Sequence, residues 1–360
     1  MSKNMDLIQT DITTLLKRLV GFPSLSGEEA ELVNWLEEAV AGTGLLKTER
    51  YGDNLVFTLG EGDPWLLLNT HSDVVPPSPD HYGDPFNAVE KDGHIYGRGT
   101  TDAKGCLASM LKALLNLADS GWKPQGRVSL AVTVCEESVG QNNGMAYLRT
   151  LLPPPDAAII GEPTSLAPCL AQKGLLILRL ITRGTSGHAA RIYGENAIYR
   201  MGRALQKLEK LTFDIRNTFL GEIKITPTTI EGGTARNANP EVCEAVIDIR
   251  TIPEYEPEAI VRTIYETTGT DIEVISDRYL SVQTNPTERI AQVCKAASGA
   301  EFIGSPTASD WVFLADVPAI KIGPGHSPQS HTSGEYIEIA QLRNGVKVYE
   351  QIIKGFLSSE

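Results

Sequence analysis

The stretch Leu66-Leu67-Leu68-Asn69-Thr70-His71-Ser72-Asp73 carries a run of apolar residues straight into a His-x-Asp pair, and Val74-Val75-Pro76-Pro77 follows. The apolar run reads as a buried strand, and the two prolines stop it. His71 and Asp73 therefore belong where the carboxyl end of a strand meets a loop, the edge at which open α/β sheets bind ligands. A single His-x-Asp pair is weak evidence, and its value depends on how the other strands end.

Two further strands end in the same way. Arg127 to Cys135 is strongly apolar and runs into Glu136-Glu137, and Ala157 to Ile160 runs into Gly161-Glu162-Pro163. A glycine-rich segment, Gly97-Arg-Gly-Thr-Thr-Asp102-Ala-Lys-Gly105, leads into an apolar helix over 105–119, and His331 follows an apolar strand at 318–322. Two imidazoles and several carboxylates at loop positions beside buried strands suit zinc-like ions. Each residue also has a plainer reading: Asp102 as a helix cap, Glu162 as a turn residue, Glu136-Glu137 as a solvated turn. Two adjacent acids at the exit of a buried strand are costly without a cation, which favours the metal reading.

Elsewhere the pattern is that of a two-domain α/β chain. At 360 residues the length suggests about two domains. Ile8, Ile12, Leu15, Leu16 and Leu19 have helical spacing, and Ser26-Gly-Glu-Glu29 reads as a capping box for a second helix. From about residue 170 the texture changes to strands at 174–182, 221–230 and 242–250 and helices at 196–211 and 256–268, an α+β unit with a half-exposed sheet. A helix at 286–298, the strand at 318–322 and a helix at 338–357 then return to the first pattern. The expected organisation is a catalytic domain over 1–169 and 285–360, interrupted by an inserted domain over 170–284.

Composition narrows the function classes. The net charge of -13 argues against nucleic acid and anionic membranes as partners. No run approaches a membrane span, and no apolar leader is read at the N-terminus, so a cytoplasmic protein is expected. Five scattered cysteines without a C-x-x-C spacing argue against a disulfide framework and a cysteine zinc site. His81, His94 and His326 fall in no ligand pattern.

Taken in order, His71-Ser-Asp-Val-Val-Pro76, Gly97 to Gly105 with Asp102, Glu136-Glu137, Gly161-Glu-Pro-Thr164 and His331-x-x-x-Glu335-Tyr336 resemble the motifs of the M20 family of metallopeptidases and amidohydrolases. The inserted domain resembles the family's lid or dimerisation domain through Gly187-His-Ala-Ala190, Gly232-Gly-Thr-Ala-Arg-Asn237 and Arg250. The resemblance implies a zinc-peptidase-type catalytic domain with a central mixed sheet flanked by helices. It implies two zinc ions per chain, with cobalt or manganese as substitutes. Asp102 would bridge them, His71 and Glu162 would complete one site, and Glu137 and His331 the other. A water shared by the ions would be the nucleophile, with Glu136 as general base and Asp73 holding His71. The peptide after Asp102 is often cis in such proteins. His188 would reach the site of a partner subunit in a homodimer formed through the inserted domain, and Asn237 and Arg250 would hold the substrate. The expected reaction is cleavage of the amide of an N-acyl amino acid, as by acetylornithine deacetylase. Desuccinylase, dipeptidase or carboxypeptidase activity are alternatives, and a non-catalytic metal-binding scaffold is the reading from another class. Three features depart from the pattern: Ala103 stands where many members have Met, Arg191 stands where Pro is common, and Glu136-Glu-Ser-Val139 lacks the third acid some relatives carry.

Overall fold

A computed structural model describes residues 5–81, 83–138, 142–191 and 194–358. Contacts between Cα atoms divide the chain into one unit of 1–170, 284–303 and 309–360 and a second of 171–283 and 304–308.

The first unit is built on a mixed sheet. Its strands run in the order Lys47–Tyr51, Asn54–Gly60, Arg127–Thr133, Trp65–His71, Ala157–Ile160 and Ala319–Lys321. The last four lie parallel to one another, while Asn54–Gly60 pairs antiparallel with both of its neighbours. Every residue of Trp65–His71 is buried, as is every residue of Ala157–Ile160, which is why both read as continuous apolar runs without alternation. Because the four central strands point the same way, His71, the Glu136-Glu137 turn, Glu162 and the Gly323 loop all leave from one edge of the sheet. Helices flank it: Lys104–Asp119 has twelve buried residues and packs along Ile339–Leu357, so it is a core helix covered nearly all round.

The loop entering that helix depends on two glycines. Gly99 has φ +82°, and a Cβ there would lie 2.6 Å from Val74 Cγ1. A Cβ on Gly105 would lie 2.5 Å from the Thr100 carbonyl oxygen, so the loop can fold back onto the helix start only with glycine there.

The expected capping box is overturned. The second helix is Ala30–Ala41 with Glu29 at its cap position, and neither Ser26 nor Glu29 caps it through a side chain. The Ser26 hydroxyl instead donates to Asp73 Oδ2 at 2.6 Å, and Glu29 Oε1 accepts from the Gly27 and Cys135 amides at 2.9 and 3.0 Å. Partners distant in sequence, 47 and 106 residues away, outcompeted the local pattern.

The second unit holds a four-stranded antiparallel sheet in the order Lys224–Gly232, Val242–Thr251, Gly174–Arg183, Asp271–Tyr279. The two inner strands alternate buried with half-buried residues, as their sequences require. Helices Ala197–Leu208 and Pro257–Thr268 cover one face and close a core of Leu176, Leu178, Leu180, Ile247, Ile249, Ile260 and Ile264.

Candidate metal centre

The sheet edge brings five of the sequence-expected residues into two overlapping groups. His71, Asp102 and Glu162 form one, Asp102, Glu137 and His331 the other, and the donor atoms of each group lie within 4.8 Å of one another. Asp102 belongs to both. Its Oδ1 is 3.3 Å from His71 Nε2, and its Oδ2 is 3.5 Å from His331 Nε2. Glu162 Oε1 lies 3.9 Å from His71 Nε2, and Glu137 Oε1 lies 2.9 Å from His331 Nε2.

The chemistry of this set fits two divalent cations. His71 Nδ1 donates to the Asp73 carbonyl oxygen at 3.0 Å, with the Asp73 carboxylate at 3.4 Å, which leaves Nε2 as the lone pair of the ring. That lone pair faces carboxylate oxygens of Asp102 and Glu162, an arrangement that needs positive charge between donor and donor. Three carboxylates and two imidazoles shared between two positions match zinc-type coordination.

The electrostatics agree. Burial works against the His71 imidazolium, yet Asp102 and Asp73 hold the ring's pKa well above its ordinary value. Burial raises Asp102, but its interaction with the protonated form of His71, and the charge of His331, keep it at about 2. Glu162 goes the other way, pushed up to about 8 by burial and by Asp102, with Lys321 opposing. Glu137 is raised by burial and Asp102, and Glu136 is raised well above the carboxylate range, chiefly by burial and then by Glu162, Asp310 and Glu137. A pocket that resists its own carboxylate charges in this way is a strong attractor for cations.

Asp73 does more than the sequence suggested. Its Oδ1 accepts from the Glu136 amide and its Oδ2 from the Glu137 amide, each at 3.1 Å, while Ser26 holds Oδ2. One fully buried carboxylate thus ties the ends of two adjacent strands together. Alanine at Asp73 is expected to lower metal affinity or kcat/KM by about 10- to 100-fold, since it frees both the His71 ring and the acidic turn. A metal-binding isotherm and steady-state rates for the variant check this, and values within twofold of the parent would remove the role.

Asp102 and His331 are held by a second pair that carries no metal donor. Arg98 and Glu335 are both 1% exposed and meet at 2.6 Å. Glu335 Oε1 accepts from the Thr101 and Asp102 amides at 2.9 and 3.1 Å, and Arg98 donates to the His331 carbonyl oxygen at 3.4 Å. The Asp102–Ala103 peptide is cis, and Cys135 and His331 have φ of +58° and +65°. Non-glycine residues in that region are uncommon, and here they stand where Glu137 and His331 are delivered to the centre.

Asp310 was not singled out by sequence. It is 2% exposed and accepts from Asn143 Nδ2 at 2.7 Å and Thr133 Oγ1 at 3.0 Å behind the Glu136 turn. Its setting, Ser309-Asp310-Trp311, falls in none of the motifs read from the sequence.

The remaining expected residues lie in the second unit. His188 is exposed and pairs with Ala238 in a short antiparallel ladder between segments distant in the chain, and the Ala189 amide donates to the Asn237 carbonyl oxygen at 2.9 Å, so the ladder brings His188 and Asn237 side by side. Arg250 forks onto Asp248 on its own strand, at 2.9 and 3.1 Å.

A parallel-stranded sheet with this edge defines a metallohydrolase, and comparison with known families gives the same class. The model for peptidase family M20/M25/M40 matches residues 67–355, and the chain belongs to that family. It is 33% identical over 305 residues to acetylornithine deacetylase of Myxococcus xanthus, covering 79% of this chain and 78% of that one. It is 26% identical to succinyl-diaminopimelate desuccinylase of Wolbachia pipientis subsp. Culex pipiens, covering 97% and 94%. Among solved structures, the aminopeptidase PepT of Bacillus cereus has the same fold, with a TM-score of 0.77 at 20% identity over 98% of this chain and 99% of that one. Among the described residues no helix is long and apolar enough to cross a membrane.

Proposed function

We propose that this chain removes the acyl group from an N-acyl amino acid by hydrolysis, in the manner of acetylornithine deacetylase. The observation that carries the reading is Asp102, whose two oxygens face two donor groups, with Glu136 next to the donor Glu137 in the chain. His71, Asp102 and Glu162 would hold one zinc ion and Asp102, Glu137 and His331 another, with cobalt or manganese able to substitute. When bound, such ions polarise an amide carbonyl and make a neighbouring water more acidic. Glu136 belongs to neither donor group and is free to take the proton of the attacking water and return it to the leaving nitrogen. The products are a carboxylate and a free amino acid.

His188 and Asn237, both exposed at the short ladder of Gly187–His188 with Ala238–Asn239, are proposed to contact the substrate, and Arg250 to exchange Asp248 for its carboxylate. The inserted unit is proposed to pair two copies. Lys224–Gly232 is an edge strand of its sheet, and Ile230, Ile198 and Tyr199 are exposed there at 54%, 41% and 72%. Sedimentation equilibrium reads this, and a monomer at micromolar concentration would remove it. A cytoplasmic place in arginine biosynthesis is proposed with the substrate.

The substrate is tested on zinc-loaded protein with N-acetylornithine, N-succinyl-diaminopimelate and simple dipeptides side by side, read by release of free amine. The acetylated amino acid is expected to lead in kcat/KM. A tenfold preference for a dipeptide would contradict the deacylase reading and leave a peptidase of the same fold.

A further inference from the structure

The turn that carries Glu136 and Glu137 has outrun its sheet. The ladder between Trp65–His71 and Arg127–Thr133 ends at His71 opposite Thr133, and Val134, Cys135, Glu136 and Glu137 continue beyond it. Amides that leave a ladder inside a protein still need acceptors. Here all four find one on a side chain. Val134 donates to Asn54 Oδ1 at 3.2 Å, Cys135 to Glu29 Oε1 at 3.0 Å, and Glu136 and Glu137 to the two oxygens of Asp73 at 3.1 Å each. Asn54, Glu29 and Asp73 are all buried, and they come from three separate parts of the chain. Three side chains thus take the place of a missing strand.

Two backbone features depend on these anchors. Cys135 has φ +58°, a left-handed conformation that is costly for a residue with a Cβ and persists only where the surroundings hold it. Glu29 Oε1 receives both the amide and the thiol of that residue, the thiol at 3.5 Å. Gly144 stands against the Asn54 anchor. A Cβ there would overlap Asn54 Oδ1 and lie 2.7 Å from the Val134 nitrogen, so the Asn54–Val134 bond occupies the space of the absent side chain. Gly144 opens the helix Gly144–Leu151, where alanine would otherwise be the better helix former.

We propose that Glu29 and Asn54 are positioning residues for the acid pair, acting through the Cys135 and Val134 amides. They set the direction in which the backbone enters Glu136-Glu137, and with it the aim of the base and of the donor Glu137. The inference rests on the two-ion hydrolase proposed above. Its consequence is unequal. Release of the turn disturbs proton transfer and the group of Asp102, Glu137 and His331, while His71 and Glu162 keep their own supports.

The test compares the full-length parent with Glu29→Ala, Glu29→Gln and Gly144→Ala. Zinc binding is read by equilibrium dialysis, kcat and KM on whichever amide the parent cleaves best, and folding by thermal unfolding. In Glu29→Ala kcat should fall about tenfold or more with KM within about twofold, the mark of misplaced catalytic groups. Affinity for one ion should fall about tenfold or more while that for the other is unchanged. Glu29→Gln keeps an oxygen for the Gly27 and Cys135 amides and should recover both properties to within about threefold of the parent. Gly144→Ala leaves every charged group in place and should lower kcat and the affinity for one ion by about threefold or more. It decides the matter if Glu29→Ala does not fold. Parental kcat and zinc binding in the folded alanine variants would overturn the proposal, as would equal weakening of both ions. So would glutamine as damaging as alanine, or a lower melting temperature as the only change. The dialysis result does not depend on which amide is cleaved, so it stands apart from the deacylase reading.

Discussion

Glutamine at position 136 is expected to lower kcat by about 10²- to 10⁴-fold while leaving the metal content at two ions per chain, the range that loss of a positioned general base produces. The split follows from the geometry. Glu136 is absent from both donor groups, whereas its neighbour Glu137 lies 2.9 Å from His331. Its amide is fixed by Asp73 Oδ1 at 3.1 Å, an anchor that Gln leaves untouched, so the turn keeps its shape while the side chain loses its ability to accept a proton. The check is steady-state kinetics on variant and parent loaded with zinc and assayed for metal in the same samples. An unchanged kcat with full metal would show that the proton is handled elsewhere.

The second large effect concerns the shared carboxylate. Asp102→Ala is expected to reduce bound metal from about two ions per chain to well under one, and activity with it. Most substitutions at a two-ion site would weaken one position, but here each oxygen of one side chain serves a different group. What survives is one imidazole and one carboxylate on each side, Glu162 with His71 and Glu137 with His331, and two ligands rarely retain zinc. Asp102→Asn, which keeps the shape and loses the charge, should fall between. Dialysis followed by elemental analysis decides it. Near-stoichiometric metal in the alanine variant would mean that the two groups do not share a ligand.

Much of this centre was legible in the sequence because its parts follow buried parallel strands. Leu66 to Leu68 and Ala157 to Ile160 are buried on both faces, so their composition alone marks them, and the polar residues after them stand out. Edge strands gave no such signal. Asp271–Tyr279 is largely exposed and mixes charge with apolar residues, so its pairing with Gly174–Arg183 comes from tertiary contact. The capping-box reading failed for a related reason. Ser26 and Glu29 have the right spacing for a helix start, but the Asp73 carboxylate and the Cys135 amide offer them buried partners that no local window contains. The support of the site was hidden in the same way: Arg98 with Glu335 and Thr133 with Asp310 are 237 and 177 residues apart in the chain. Motif positions identify donors, while the groups that hold the donors appear only once the sheet is assembled.

Anomalous diffraction from crystals of the zinc-loaded protein tests the two-ion centre most directly. Two peaks roughly 3.5–4 Å apart are expected, one against His71 and Glu162, one against Glu137 and His331, with the Asp102 carboxylate between them. A single peak, or two peaks that do not share Asp102, would contradict the centre described here.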